Sequence, residues 1–197
     1  MDKPFGLVLA GGLASRMGGD KALRLVRGQT LLQHALGVLR PFCAALAVST
    51  GNRNLELPQG VAPLPDLEPF AMKGPLSGLL AGLRAASAAN AEVMLAVACD
   101  LPNVPAALLA RLLRELRGHD VVFCEHEGLP EPLVCALQVT PMLAAVEASL
   151  ARGALKVVPL WKSARCRLLS DADLAEFAPL ERTFANVNTL EDLAREQ

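Results

Sequence analysis

The chain has 197 residues, 52 % of them hydrophobic, and a formal net charge of −1. That length and apolar content suit one domain over residues 1–197 and exclude a disordered chain. The balanced charge argues against general affinity for nucleic acid, and one tryptophan with no tyrosine leaves little for base stacking. The first apolar run, Phe5–Ala10, predicts a strand and leads straight into glycines. It is too short for a signal peptide, and no stretch reaches the roughly 18 consecutive apolar residues of a membrane span, so neither a leader nor a membrane partner is expected.

Behind that strand, "GGLASRMGGDK" holds two glycine pairs, Gly11-Gly12 and Gly18-Gly19, with Arg16 and Lys21. Leu31–Leu39 then carries a helical pattern, and Ala45–Ser49 reads as a second strand. Leu76, Leu79, Leu80 and Leu83 follow helical spacing, and Glu92–Cys99 is a third strand. Leu108, Leu109, Leu112, Leu113 and Leu116 predict another helix, with Arg111 and Arg114 on its opposite face. Val121–Glu125 and Leu133–Gln138 are two further strands, a helix is expected near Lys156–Ala164, and Thr189 can cap a last helix with Asp192 three residues on. The segment from Ala151 to Leu180 is otherwise without a clear period. Continuous apolar strands alternating with helices predict a three-layer α/β fold, its sheet mostly parallel and buried on both faces.

The five cysteines, at 43, 99, 124, 135 and 166, include no CxxC pair and sit mostly in apolar runs. They read as buried reduced thiols, which fits the cytoplasm. His34, His119 and His126 have no metal-ligand spacing. His126, in the charged stretch "CEHEGLPEP", is expected at a loop tip.

In open α/β sheets, ligands sit beyond the carboxyl ends of the strands. Three polar clusters stand out there or near the C-terminus: "GGLASRMGGDK", "CDLPN" and "NVN". Glycines after a strand let backbone N–H groups come close to phosphate oxygens, and Arg16 and Lys21 supply charge to neutralise them. The stretch is neither GxxxxGK[ST] nor GxGxxG, and solvated charges on a surface loop would look the same. Asp100, at the end of the apolar run Val93–Cys99, offers a hard oxygen suited to Mg²⁺, and Asp-x-Pro equally makes a turn. Asn186 and Asn188 fall on one side of an extended segment, or serve as turn formers before the last helix.

"LAGGLASRMGGDKALRLVRGQTLLQHAL" resembles the opening signature of the molybdenum cofactor guanylyltransferases, the MobA-like proteins. "LPDLEPFAMKGPLSGLLAGL", "ACDLPNVPAALL" and "TFANVNTLEDLA" resemble the later motifs of the same family, in the same order and over nearly the whole chain. The resemblance implies a Rossmann-like nucleotidyltransferase fold and transfer of GMP from GTP to molybdopterin. Lys21, Arg16 and Asp100 would be catalytic, with Asp100 also the ligand of Mg²⁺. Leu9, Ala10, Gly11, Gly12, Lys21, Thr50, Asp66 and Asp100 would meet the nucleotide, and Asn186 and Asn188 the acceptor. The Gly11-Gly12 pair resembles guanylyl rather than cytidylyl members, and Asp66 or paired backbone carbonyls could accept from guanine N1–H and N2–H₂.

The implied partners are GTP, molybdopterin and other proteins of cofactor assembly or delivery, for a protein expected to be monomeric. Alternatives are a cytidylyltransferase, a sugar-phosphate nucleotidyltransferase, or a nucleotide-binding delivery protein without turnover. The chain departs from the family in three places. Thr50 stands where many members have asparagine, Glu131-Pro132 replaces a His-Pro or Gln-Pro pair, and a basic cluster after the late helix is reduced to Arg152 and Lys156.

Overall fold

The computed structural model describes residues 3–10 and 21–195. The first strand, β1 (Phe5–Leu9), is buried at every position and forms the middle of the parallel half of the sheet. It lies between β4 (Ala45–Gly51) and β6 (Val93–Ala98), and β5 (Val61–Pro65) extends the parallel run beyond β4. On the other side β6 pairs with β8 (Leu129–Gln138), then comes β7 (Val121–His126), and β9 (Cys166–Leu169) closes the edge. A separate small ribbon joins β2 (Leu25–Val26) to β3 (Gln29–Thr30).

Six of the seven strands point the same way, and β8 runs against both of its neighbours. The sheet is mostly parallel as expected, and the departure is Leu133–Gln138: it lies in β8, which forms an antiparallel hairpin with β7. Their connection is the two-residue loop Glu127-Gly128, with φ of 51° and 74°. Two successive left-handed residues give the turn whose twist matches an antiparallel pair. His126 is correspondingly not at a loop tip. It ends β7, where its ring stacks on Phe184 at 5.9 Å and Nδ1 lies 3.1 Å from Asp171 Oδ1.

Alternation along β1 divides the core in two. Val8 packs on one face with α1 (Leu31–Leu39) and α3 (Ala106–Glu115). Leu7 and Leu9 pack on the other with α2 (Pro75–Ala88), α4 (Val139–Ala151) and α5 (Val157–Ser163). Helices on both faces of one sheet make the three layers. Helix α1 begins where the sequence predicts, because Thr30 accepts from the Gln33 N–H while the Gln33 side chain accepts from the Thr30 N–H. Helix α2 lies unusually close to the sheet. A Cβ at Gly78 would stand 2.4 Å from Ser49 Oγ, and one at Gly82 would stand 2.4 Å from Leu7 Cδ2.

The C-terminal segment passes through α6 (Leu180–Thr183) and ends in α7 (Leu190–Arg195). Thr189 caps α7 as expected: its Oγ1 accepts from the Asp192 N–H, and Asp192 Oδ2 accepts from the N–H groups of Asn188 and Thr189. Val187 is buried with Val26 and Leu31, which fastens this segment to the ribbon and to α1.

Candidate active site

Parallel strands end along one edge, so the residues that follow them meet there without any sequence proximity. Ala10, Thr50, Asp66 and Asp100 follow or end β1, β4, β5 and β6 respectively. At this edge Lys21 Nζ donates to Asp100 Oδ2 at 2.8 Å and to Asn188 Oδ1 at 2.6 Å. The Val187 N–H donates to the Asp100 carbonyl at 2.9 Å, which draws the C-terminal turn across the end of β6. Three of the motifs read from the sequence thus converge on one ammonium group. The Lys21 and Asp100 side chains retain 21 % and 26 % exposure, so the pair is open to a ligand.

The Asn186–Asn188 segment behaves as alternation requires: both asparagines are exposed and Val187 between them is buried. Asn188 reaches Lys21, whereas among the described residues no side-chain hydrogen bond joins Asn186 to the cluster. Arg27, in the turn of the β2–β3 ribbon, donates to Asn103 Oδ1 at 2.6 Å and so ties the ribbon to the loop after Asp100. An open groove of about 610 Å³ begins there, with Arg27 and Arg182 among its walls and Asn103, Phe177 and Thr183 between them.

The other expected nucleotide contacts lie further along the same edge. Leu9 is buried, and its carbonyl accepts from the Cys99 N–H at 3.1 Å. Ala10 is buried too: its N–H donates to the Ser49 carbonyl at 3.2 Å, and its carbonyl accepts from the Arg53 guanidinium. Thr50 is buried, with Oγ1 donating to the Leu64 carbonyl at 3.4 Å. Asp66 is half-buried, and its Oδ2 accepts from the Met72 N–H at 2.9 Å, shaping the loop that leads to α2. Ser77 holds the same loop by donating to the Phe70 carbonyl at 2.6 Å. Gly11, Gly12, Arg16, Gly18 and Gly19 lie outside the described residues.

Sequence reasoning assigns no role to two charged residues at this edge. Arg53 sits in the bend after β4, and only the fold carries its guanidinium to the carbonyl of Ala10. Glu131 lies in β8 between two prolines, where the sequence looks like a turn. Burial, and after it the charge of Asp100, raise the Glu131 carboxyl above its ordinary range, while His126 pulls it down. Burial pushes the thiols of Cys43 and Cys124 up to about 12, far from a reactive thiolate.

The arrangement suits chemistry on a polyphosphate. It offers a flexible ammonium, a carboxylate and an amide oxygen at the mouth of a β–α sheet. The donors around Asp100 are hard oxygens, which fit a magnesium-like cation rather than a soft metal. The Lys21 ammonium shows that positive charge is accommodated at that spot.

Residues 6–165 match the family model of the MobA-like NTP transferase domain. Over 196 residues the chain is 36 % identical to the molybdenum cofactor guanylyltransferase of Serratia proteamaculans, covering 98 % of this chain and 93 % of that protein. It is 33 % identical over 190 residues to the molybdenum cofactor guanylyltransferase of Vibrio cholerae, covering 96 % and 89 %. Among solved structures, molybdopterin-guanine dinucleotide biosynthesis protein A from Archaeoglobus fulgidus superposes with a TM-score of 0.77 at 23 % identity, over 98 % of this chain and 96 % of that one. The 2-C-methyl-D-erythritol 4-phosphate cytidylyltransferase of Thermus thermophilus shares the fold with a TM-score of 0.66 at 16 % identity, over 96 % and 95 %.

Proposed function

The chain belongs to the MobA-like NTP transferase family, and we propose that it transfers GMP from GTP to molybdopterin, with release of pyrophosphate. The observation that carries this reading is the meeting of Lys21, Asp100 and Asn188. It joins the end of the glycine-rich segment, the end of β6 and the C-terminal turn at one point. In the reaction, a terminal phosphate oxygen of the acceptor forms a bond to the α-phosphorus of GTP as the bond to the pyrophosphate oxygen breaks. No covalent link to the protein is needed, so positioning and charge stabilisation suffice.

Lys21 serves as the mobile positive charge. Its ammonium rests between Asp100 and Asn188 and turns to the phosphates when they arrive, meeting them as a point charge. Asp100, with Asn188 beside it, would hold a divalent cation, Mg²⁺ in this reading. Such an ion, when bound, supplies Lewis-acid stabilisation of charge on the phosphate oxygens. Arg16, with Gly11 and Gly12, belongs to the nucleotide side, as do Leu9, Ala10, Thr50 and Asp66. Asp66 or neighbouring carbonyls would accept from the guanine edge.

Asn186 and Asn188 face the acceptor side. There the groove between Arg27 and Arg182 offers guanidinium groups to an anionic ligand. Buried, reduced cysteines support a cytoplasmic setting, and we take the protein to act as a monomer that hands its product to other proteins of cofactor assembly.

The experiment is pyrophosphate release from the purified protein. Release should require GTP, molybdopterin and a divalent cation together, and Asp100→Asn should suppress it by at least about 100-fold at fixed Mg²⁺. Release by Asp100→Asn at the wild-type rate would remove Asp100 from the chemistry.

A further inference from the structure

We propose that Glu131 is a positioning residue of this site, whose carboxylate receives hydrogen bonds from the water shell of the cation held at Asp100. The inference rests on the nucleotidyl-transfer reading above. It starts from the direction of β8. The other strands deliver to the ligand edge the residues that follow them. The one antiparallel strand instead delivers the residues of its N-terminal half. Val97 of β6 lies opposite Val134 of β8, and beyond that pair the two strands run on to Asp100 and Glu131.

The backbone around Glu131 is built for placement. Between Phe123 and Cys124 the β7–β8 pairing jumps from Cys135 to Glu131, so that Pro132, Leu133 and Val134 have no partner on β7. Such a bulge bends a strand and re-aims its side chains, and bulges recur beside active sites. This one is pinned. The indole N–H of Trp161, a fully buried side chain of α5, donates to the Pro132 carbonyl at 3.0 Å. Prolines at 130 and 132 stiffen both sides of the glutamate.

The electrostatics then call for a cation. Glu131 is half-buried and feels the Asp100 charge, and among the described residues no side chain forms an ion pair or hydrogen bond with its carboxylate. Two carboxylates facing one opening repel each other unless something positive lies between them. Lys21 pairs with Asp100, and His126 offsets only part of the rise at Glu131. Hydrated Mg²⁺ keeps several waters, whose hydrogens point outward and need acceptors. Glu131, three residues before Val134 as Asp100 is three after Val97, is placed by the register to be such an acceptor. Groups of this kind around a metal commonly change its affinity by about 10–100-fold.

The test is Mn²⁺ titration followed by electron paramagnetic resonance, with GTP present, on wild-type protein, Glu131→Gln, Glu131→Asp and Asp100→Asn. Glu131→Gln should weaken Mn²⁺ binding by about tenfold or more, and Glu131→Asp by less, because it keeps the charge. GTP affinity in EDTA should be unchanged, and the thermal midpoint of metal-free Glu131→Gln should not fall, because one of two repelling carboxylates is gone. Mn²⁺ binding by Glu131→Gln within about twofold of wild type would overturn the proposal, as would equal losses in the Gln and Asp variants. If Asp100→Asn weakens binding and Glu131→Gln does not, the proposal alone fails. If Asp100→Asn leaves binding unchanged, or the wild type holds no Mn²⁺, the reading of Asp100 fails with it.

Discussion

Gly78→Ala and Gly37→Ala are the same chemical change in two helices, and the structure predicts different outcomes. Alanine favours a helix over glycine by about 1 kcal/mol. At Gly37, on the exposed side of α1, an added Cβ meets nothing within 4 Å, so that gain should appear in full. At Gly78 the Cβ would lie 2.4 Å from Ser49 Oγ, 2.9 Å from Leu9 Cδ2 and 3.0 Å from Ser49 Cβ. Ordinary contact begins at 3.4 Å, so the shortest approach falls about 1 Å short. Ser49 Oγ and Leu9 Cδ2 are side-chain ends packed against the sheet, but Ser49 Cβ is fixed to its strand, so relief needs both side chains to turn and α2 to give way. Overpacking of this kind costs about 1–3 kcal/mol, which separates the two variants by that amount because the helix term is common to both. At about 2–4 °C per kcal/mol for a chain of this size, Gly78→Ala should melt about 2–12 °C below Gly37→Ala.

The displacement also reaches function. Ser77 next to Gly78 holds the loop that follows Asp66, so Gly78→Ala should raise KM for GTP, and Gly37→Ala should leave it unchanged. Paired thermal melts and initial rates provide the assay. A Gly78→Ala variant as stable as Gly37→Ala would show that α2 does not press on the sheet.

Lys21→Ala should keep its circular dichroism spectrum and lose at least about 100-fold in kcat with saturating GTP, read as pyrophosphate release. Near-wild-type turnover would exclude Lys21 from catalysis. Asn188→Ala should weaken use of molybdopterin more than binding of GTP, with KM for the acceptor and calorimetric GTP affinity measured on the same preparation; equal losses would move this residue to the nucleotide side. Asp120 accepts from the Arg165 guanidinium and backbone N–H, and those hydrogen bonds hold its carboxyl below the usual carboxylate range. A depressed folded-state pKa contributes stability that is present above the unfolded value of about 3.9 and lost as pH falls through the folded value. Asp120→Asn should therefore melt below wild type at pH 7, and the gap should close on acidification below about pH 4; a gap independent of pH would contradict the ion pair's role.

Apolar runs and caps carried much of the fold. Val93–Ala98 and Phe5–Leu9 are central strands buried almost throughout, and such strands announce themselves by unbroken hydrophobicity. The same signal does not encode direction. Leu133–Gln138 lies between two strands in the sheet and looks like a parallel strand, yet its neighbour is joined to it by Glu127-Gly128, a less familiar form of the Asn-Gly hairpin signal. Edge strand β5, "VAPLP", was hidden by its prolines, which are tolerated only where a missing N–H is not needed. Helix α4 was hidden because it starts directly at the end of β8, with no side-chain cap to mark the change.

At the site, Lys21, Asp100 and Asn188 were legible as motif residues, but their contact spans 79 and 167 positions and depends on strand order. Glu131 was legible only as a departure from the family's pattern, without a role. Its relation to Asp100 follows from the reversal of one strand and a bulge.

Guanylyl transfer is read from its product. The purified chain is incubated with molybdopterin, Mg²⁺ and equal concentrations of GTP and CTP, and the products are weighed by mass spectrometry. A guanine edge meeting paired acceptors would leave one of them unsatisfied with cytosine, which costs about 1–3 kcal/mol and corresponds to about tenfold discrimination or more. With guanylyl transfer, a molybdopterin–GMP dinucleotide should form in at least about tenfold excess over the cytosine product. A predominantly CMP-linked product, or none from either nucleotide, would contradict it.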